Sequence, residues 1–295
     1  IPFFKSNSEI TGNASLYAFL ETRFSLTIRL CAALLFLLRV VFYLGVVLYS
    51  PALALNYLLP KMMFVTILVC GGMSTFVAAF GGILGVAWLD FFQSFPLVGV
   101  VFACLIRGLT LVDASQLEQQ IRIPADFWTL SYANNNVWWL ILGTMFSTLA
   151  QTGADQIAVQ RFMLTKDIKE SQRGVILTTV MGSLFQGMLC LLGIVGAAML
   201  HGEKPDQPDQ IVPFVLQHYF PPGVLGLFMG AIIGCTVSVT SATLNSAVVC
   251  ICEDVLETLF HQLQITLFRK QMITLFLGIF GTLLACVFSF LDNQL

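Results

Sequence analysis

The chain has 295 residues, 57% of them hydrophobic and only 10% charged, with a net charge of −2. A mean hydropathy of +0.87 lies far outside the range of a water-soluble domain and implies a polytopic all-α membrane protein embedded in a lipid bilayer. No basic tract points to nucleic acid, and the eight cysteines sit in or beside apolar runs, where they read as small buried hydrophobes rather than a disulfide framework.

A bilayer-crossing helix needs about 20 apolar residues. Seven stretches qualify: 30–56, 62–80, 87–106, 137–160, 174–200, 223–252 and 271–291. The first full span begins only after a short apolar stub, and the chain stops soon after the last one, so both ends read as cut. The first span carries Arg39 between Leu34-Leu35-Phe36-Leu37-Leu38 and Val40-Val41-Phe42. A charge in that setting needs a partner or water. It is either a clamp for a carboxylate or one half of an ion pair with Asp90 or Asp155. The second and third spans meet at a predicted tight glycine turn, Phe80 to Gly85, and Asp90 lies near one end of the third.

The fourth span holds a polar stripe. Thr144, Ser147, Thr148, Gln151, Thr152 and Asp155 recur at offsets of three and four, which places them on one helix face. Polar groups in hydrocarbon are costly and face a bundle interior or a watery cavity, so the stripe predicts a path for a polar solute. On the sixth span Ser238, Ser241 and Asn245 share a face, downstream of Gly226, Gly230 and Gly234, whose spacing permits close helix contact. Oxygen atoms in such a row suit a hard cation; the alternative is hydroxyls bonded to their own helix.

With alternating sides, Lys5, Arg23, Arg29, Arg161, Lys166, Lys169, Arg173, Arg269 and Lys270 fall on one face of the membrane and Lys61, Arg107, Arg122 and Lys204 on the other. The richer set belongs in the cytoplasm. The three histidines lie far apart, so no metal site is expected, and no hydrolase, zinc-protease or phosphate-loop motif is present. The pattern favours transport over catalysis, hence not an enzyme.

The chain resembles the sodium/solute symporter family, which includes sodium-coupled glucose, iodide, multivitamin, monocarboxylate and sialic-acid transporters. The resemblance rests on a series of strings in the family's order: Leu20-Glu21-Thr22-Arg23-Phe24-Ser25, the run from Gly45 to Asn56, Gly81-Gly82 followed by Val86 to Gln93, Asp155 to Phe162, Pro208-Asp209-Gln210, Pro222 to Phe228, and Glu253-Asp254-Val255. It implies a single transmembrane transport domain over 1–295 with a LeuT-type inverted-repeat bundle. By the same alignment the first core helix and the tenth fall outside the chain. Substrate and ions then meet at broken helices near the bilayer midplane.

Carried over by position, the family's main sodium site uses the hydroxyls at Ser238 and the next position, here Val239. A second site in some members uses Ser241, the next position, here Ala242, and Asp90. Each pair has lost one hydroxyl. The cation-binding candidates are thus Ser238, Ser241 and Asp90; the substrate path is Arg39, Thr148, Gln151, Thr152 and Asp155. The expected function is sodium-coupled import of a small polar or anionic solute across the plasma membrane, with Na⁺ as cargo and no cofactor. The rival reading is a non-transporting sensor or partner-binding relative.

Overall fold

The computed structural model describes residues 15–113, 115, 117–118, 125–128, 136–153, 155–163, 167–200, 211–260 and 265–292. In chain order these form α1 (Leu16–Arg23), α2 (Leu26–Leu58), α3 (Met63–Phe76), α4 (Gly82–Leu111), α5 (Val137–Gly153), α6 (Gln156–Met163), α7 (Ile168–Met199), α8 (Ile211–Tyr219), α9 (Pro222–Val249), α10 (Glu257–Leu259) and α11 (Leu267–Asp292). Every described element is helical. Two π-helical segments, Val77–Gly81 and Cys250–Leu256, and one short 3₁₀ turn, Ala125–Trp128, complete the set.

Local chemistry sets the helix starts. The Ser15 hydroxyl accepts from the Tyr17 N–H to open α1, and the Ser25 hydroxyl accepts from Ile28 N–H to open α2. Pro222, whose missing N–H costs nothing there, begins α9. Between the predicted second and third spans the helical path hardly pauses. The π segment runs directly into α4, and a single residue, Gly82 at φ +56°, leaves α geometry. Glycine alone adopts that backbone cheaply. The predicted glycine turn is therefore narrowed to one residue.

Among the described residues, five helical paths are long and apolar enough to cross a membrane: Leu26–Leu58, Met63–Leu111, Ile168–Met199, Pro222–Leu259 and Leu267–Leu291. The count differs from the seven predicted stretches for two reasons. Stretches 62–80 and 87–106 belong to one helical path, and 137–160 is split, leaving the shorter apolar helix Val137–Gln151. α9 is central, packed against α2, α3 and α4, while α11 lies on α2 and α3 and α7 on α4. Val40, Leu44, Leu244 and Ala247 form the core where α2 meets α9.

Outward faces are apolar: Leu35, Phe76, Trp88, Phe95, Leu184 and Phe276 are all more than half exposed. In water this would be a large aggregation-prone patch; in a bilayer it is the lipid surface. Of the three glycines, Gly226 and Gly230 meet no neighbour, while Gly234 closely approaches Gln93 on α4, so the predicted close contact forms at one position only. Closer contacts form between α3 and α11, where Gly71 abuts Thr282 and Gly278 abuts Thr75.

Candidate functional site

The fourth predicted span is broken. α5 ends at Gly153, and Asp155 starts α6 as its cap: the Oδ1 atom accepts from Ile157 N–H at 3.0 Å and the carbonyl from Val159 N–H at 3.0 Å. The polar stripe is therefore shared between two helices. Thr144 donates to the Leu140 carbonyl at 2.6 Å, and Gln151 donates to Ser147 Oγ at 3.4 Å. Thr148 is exposed, as is every residue from 141 to 151; the side chain of Thr152 lies outside the described residues. At the break, Arg39 donates to Asp155 Oδ2 at 3.0 Å. Of the partners weighed for Arg39, the fold brings Asp155 to it and leaves Asp90 elsewhere. Its guanidinium also lies over the Phe36 ring, 5.4 Å from the centroid.

The second cluster joins α4, α6 and α9. Ser238 is fully buried and its hydroxyl donates to Asp90 Oδ1. Arg161, on α6, donates to Asp90 Oδ2 at 2.9 Å. Ser241, also fully buried, donates to the Ser238 carbonyl at 3.0 Å, so its hydroxyl is turned along its own helix. Val239, by contrast, is 39% exposed. Beside Asp90 is a cavity of about 220 Å³ whose wall includes Gln160, Arg161, Ala242, Asn245 and Ser246. Ser246 donates to Gln160 Oε1 at 2.8 Å.

A third cluster went unread in the sequence. Arg29 bonds Asp254 Oδ1 through Nε (3.0 Å) and Nη2 (2.9 Å), Glu21 through Nη1 (2.7 Å) and the Glu253 carbonyl at 2.9 Å. Ser15 donates to both Asp254 oxygens, at 2.6 and 2.7 Å, and Lys270 reaches Glu253 at 3.4 Å. α1, α2, the second π segment and α11 are thus tied together at one end of the bundle. In the sequence Arg29 counts only as an orientation charge, and Arg161 as one that also lies in the Asp155 to Phe162 string. No spacing in the sequence joins Arg29 to Glu253-Asp254 or Arg161 to Asp90.

A lipid-faced helical bundle with a helix broken at a capping aspartate, and with buried side-chain oxygens on other helices, is the architecture of a multi-pass membrane protein of the secondary-transporter class. The model of the sodium:solute symporter family matches residues 3–292, and the chain belongs to that family, one of transporters rather than enzymes. It is 28% identical to the human sodium/iodide cotransporter over 83% of the chain and 40% of that protein. It is 27% identical to human sodium-coupled monocarboxylate transporter 1 over 86% of the chain and 44% of that protein. The rabbit sodium-dependent multivitamin transporter is 28% identical over 83% and 41%. The chain thus spans under half the length of these relatives. A Na⁺-coupled sialic acid symporter, solved in a substrate-bound outward-open state, shares the fold: TM-score 0.88 at 24% identity, covering 98% of this chain and 64% of that one.

Proposed function

We propose that the protein carrying this chain is a sodium-coupled symporter that imports a small polar or anionic organic solute, of monocarboxylate, vitamin or sugar-acid type, across the plasma membrane by alternating access. The observation that carries this reading is the Asp90–Ser238 contact between α4 and α9, in a bundle that also holds the α5–α6 break. A carboxylate and a buried hydroxyl offer the hard oxygen ligands that Na⁺ prefers, and a helix break lets backbone groups face a solute. In this reading Asp90, Ser238 and Ser241 bear on cations, and Arg39, Thr148, Gln151, Thr152 and Asp155 line the solute path. Relatives carrying iodide, monocarboxylates and vitamins support sodium coupling and an anionic cargo.

The mechanism follows from electrostatics. A cation entering between α4 and α9 offsets the Asp90 charge and draws the two helices together. A solute at the α5–α6 break then sits in a field the cation has changed. The membrane potential adds about 2.3 kcal/mol per charge per 100 mV to inward sodium movement. The test is uptake of labelled small organic acids and sugars, with and without sodium, in cells expressing the protein. Sodium-dependent accumulation of an acid is expected. Failure to accumulate any candidate, from protein shown to be at the surface, would replace symport with a sensing or partner-binding role.

A further inference from the structure

α6 has only eight residues, too few to be stable alone, so its place is set by what holds it. The two residues at its start are held by different routes. The Asp155 side chain is held by Arg39 of α2, at 3.0 Å. Gln156, fully buried, is held by α1: the Leu16 N–H donates to its Oε1 at 2.9 Å. Leu16 opens α1, and its N–H is one of those a helix leaves without an internal partner. A side chain from α6 thus completes the start of α1, where Ser15 already caps the Tyr17 N–H.

The two routes meet. The Arg39 guanidinium lies over the Phe36 ring, and Phe36 packs on Tyr17 with ring centroids 5.8 Å apart. Tyr17 follows Leu16 directly. Asp155, Arg39, Phe36, Tyr17, Leu16 and Gln156 therefore close a ring of contacts at the start of α6. Phe36, Tyr17 and Leu16 are buried, and Val159, one turn along α6, lies in the same core. The Arg39 side chain is the open member. A long exposed side chain has many rotamers, and an aromatic face beneath its charge selects among them.

We infer that Tyr17 and Gln156 are positioning residues for the Arg39–Asp155 pair, so that α1 sets the geometry an anionic solute meets at the α5–α6 break. The inference rests on the solute path proposed above. Neither residue touches the solute. Gln156 acts by pinning the backbone next to Asp155, and Tyr17 acts through Phe36 on Arg39. α1 has its own anchor at the buried charge cluster, where Ser15 donates to Asp254 and Glu21 bonds Arg29. The pair is thereby fixed before a solute arrives, which lowers the ordering cost of binding.

The experiment compares the native protein with Tyr17→Leu, Tyr17→Phe, Phe36→Leu and Gln156→Met by two readouts. In the purified protein, hydrogen exchange follows the Ile157 and Val159 amides, both bonded to Asp155. In cells, sodium-driven uptake of labelled propionate, biotin and glucuronate, one for each class of acid proposed, gives the half-saturating solute concentration. Tyr17→Leu and Gln156→Met should each raise that concentration about tenfold, short of the hundredfold that a misplaced group can cost. Both should speed exchange at the two amides. The sodium concentration for half-maximal uptake, at saturating solute, should stay as in the native protein. Tyr17→Phe keeps the ring and should change nothing. Phe36→Leu breaks the circuit without touching α1 or α6 and should match Tyr17→Leu, which guards against misfolding of α1. Tyr17→Leu combined with Gln156→Met should cost less than the two effects multiplied, since both act on one pair.

Unchanged solute half-saturation in Tyr17→Leu and Gln156→Met overturns the positioning role, as does a sodium dependence that moves with it. Native exchange at Ile157 and Val159 in both variants overturns the anchoring by α1. Native protein at the surface that takes up none of the three acids overturns the symport reading, and hydrogen exchange then decides the anchoring by itself.

Discussion

At the scale of single residues, the two acidic side chains inside predicted spans have different surroundings and should respond differently to substitution. Asp155 caps α6 and pairs with Arg39, whose side chain is 55% exposed. A pair that open contributes little to stability, about 0.2–1 kcal/mol. Arg39→Gln should therefore change the melting temperature in detergent very little, yet reduce uptake of an anionic solute strongly. Uptake indifferent to the substitution would remove Arg39 from the solute path. Asp90 instead holds a fully buried hydroxyl. If Na⁺ binds where proposed, Ser238→Ala removes one of its oxygen ligands and should raise the sodium concentration for half-maximal uptake by about tenfold, worth about 1.4 kcal/mol. A sodium titration of uptake reads this directly.

At the scale of helices, stability is concentrated where charge and small residues are buried. Asp254 is fully buried and Arg29 is 5% exposed. Removing Arg29 leaves that carboxylate without its compensating charge, so Arg29→Met should cost about 3–5 kcal/mol. Changing both, Arg29→Met with Asp254→Leu, should recover most of the loss, since an apolar pair needs no compensation. Thermal melts of the two variants decide it. Between α3 and α11, a methyl added at Gly278 would overlap Thr75. Gly278→Ala should cost about 1–3 kcal/mol, and Thr75→Ala in the same chain should relieve it.

The same elements show what was legible in the sequence. Apolar runs announced α2, α7, α9 and α11, because a lipid-facing helix must be apolar over its whole length. The placement of Ser238 and Ser241 on one buried face followed from their spacing. What spacing cannot carry is pairing between distant segments. Asp90 meets Arg161 across 71 positions and Arg29 meets Asp254 across 225, and no local pattern encodes either. The break at Asp155 was masked for another reason: apolar residues continue on both sides of it, so hydropathy read one helix where a cap made two. Likewise, Gly226 and Gly230 had the spacing of a contact surface but no atom within 4 Å of where a side chain would begin, while Gly71 and Gly278 made the contact from different helices.

For the whole molecule, sidedness follows from the charges at the helix ends. α2 has 33 residues, about 50 Å at 1.5 Å per residue, which exceeds the roughly 30 Å hydrocarbon core, so its two ends lie on opposite sides of the membrane. Phe24 precedes it and is 61% exposed; Lys61 follows it, exposed, at φ +70°. The end near Phe24 carries Arg23 and Arg29, and Lys270, which meets Glu253 beside the Arg29–Asp254 pair, lies at the same end. Positive charge accumulates in the cytoplasm because moving it outward is opposed by the potential and the insertion machinery. Phe24→Cys, in a background lacking the native cysteines, should therefore react with an impermeant maleimide only after permeabilisation, and Lys61→Cys in intact cells. The reverse pattern would invert the bundle.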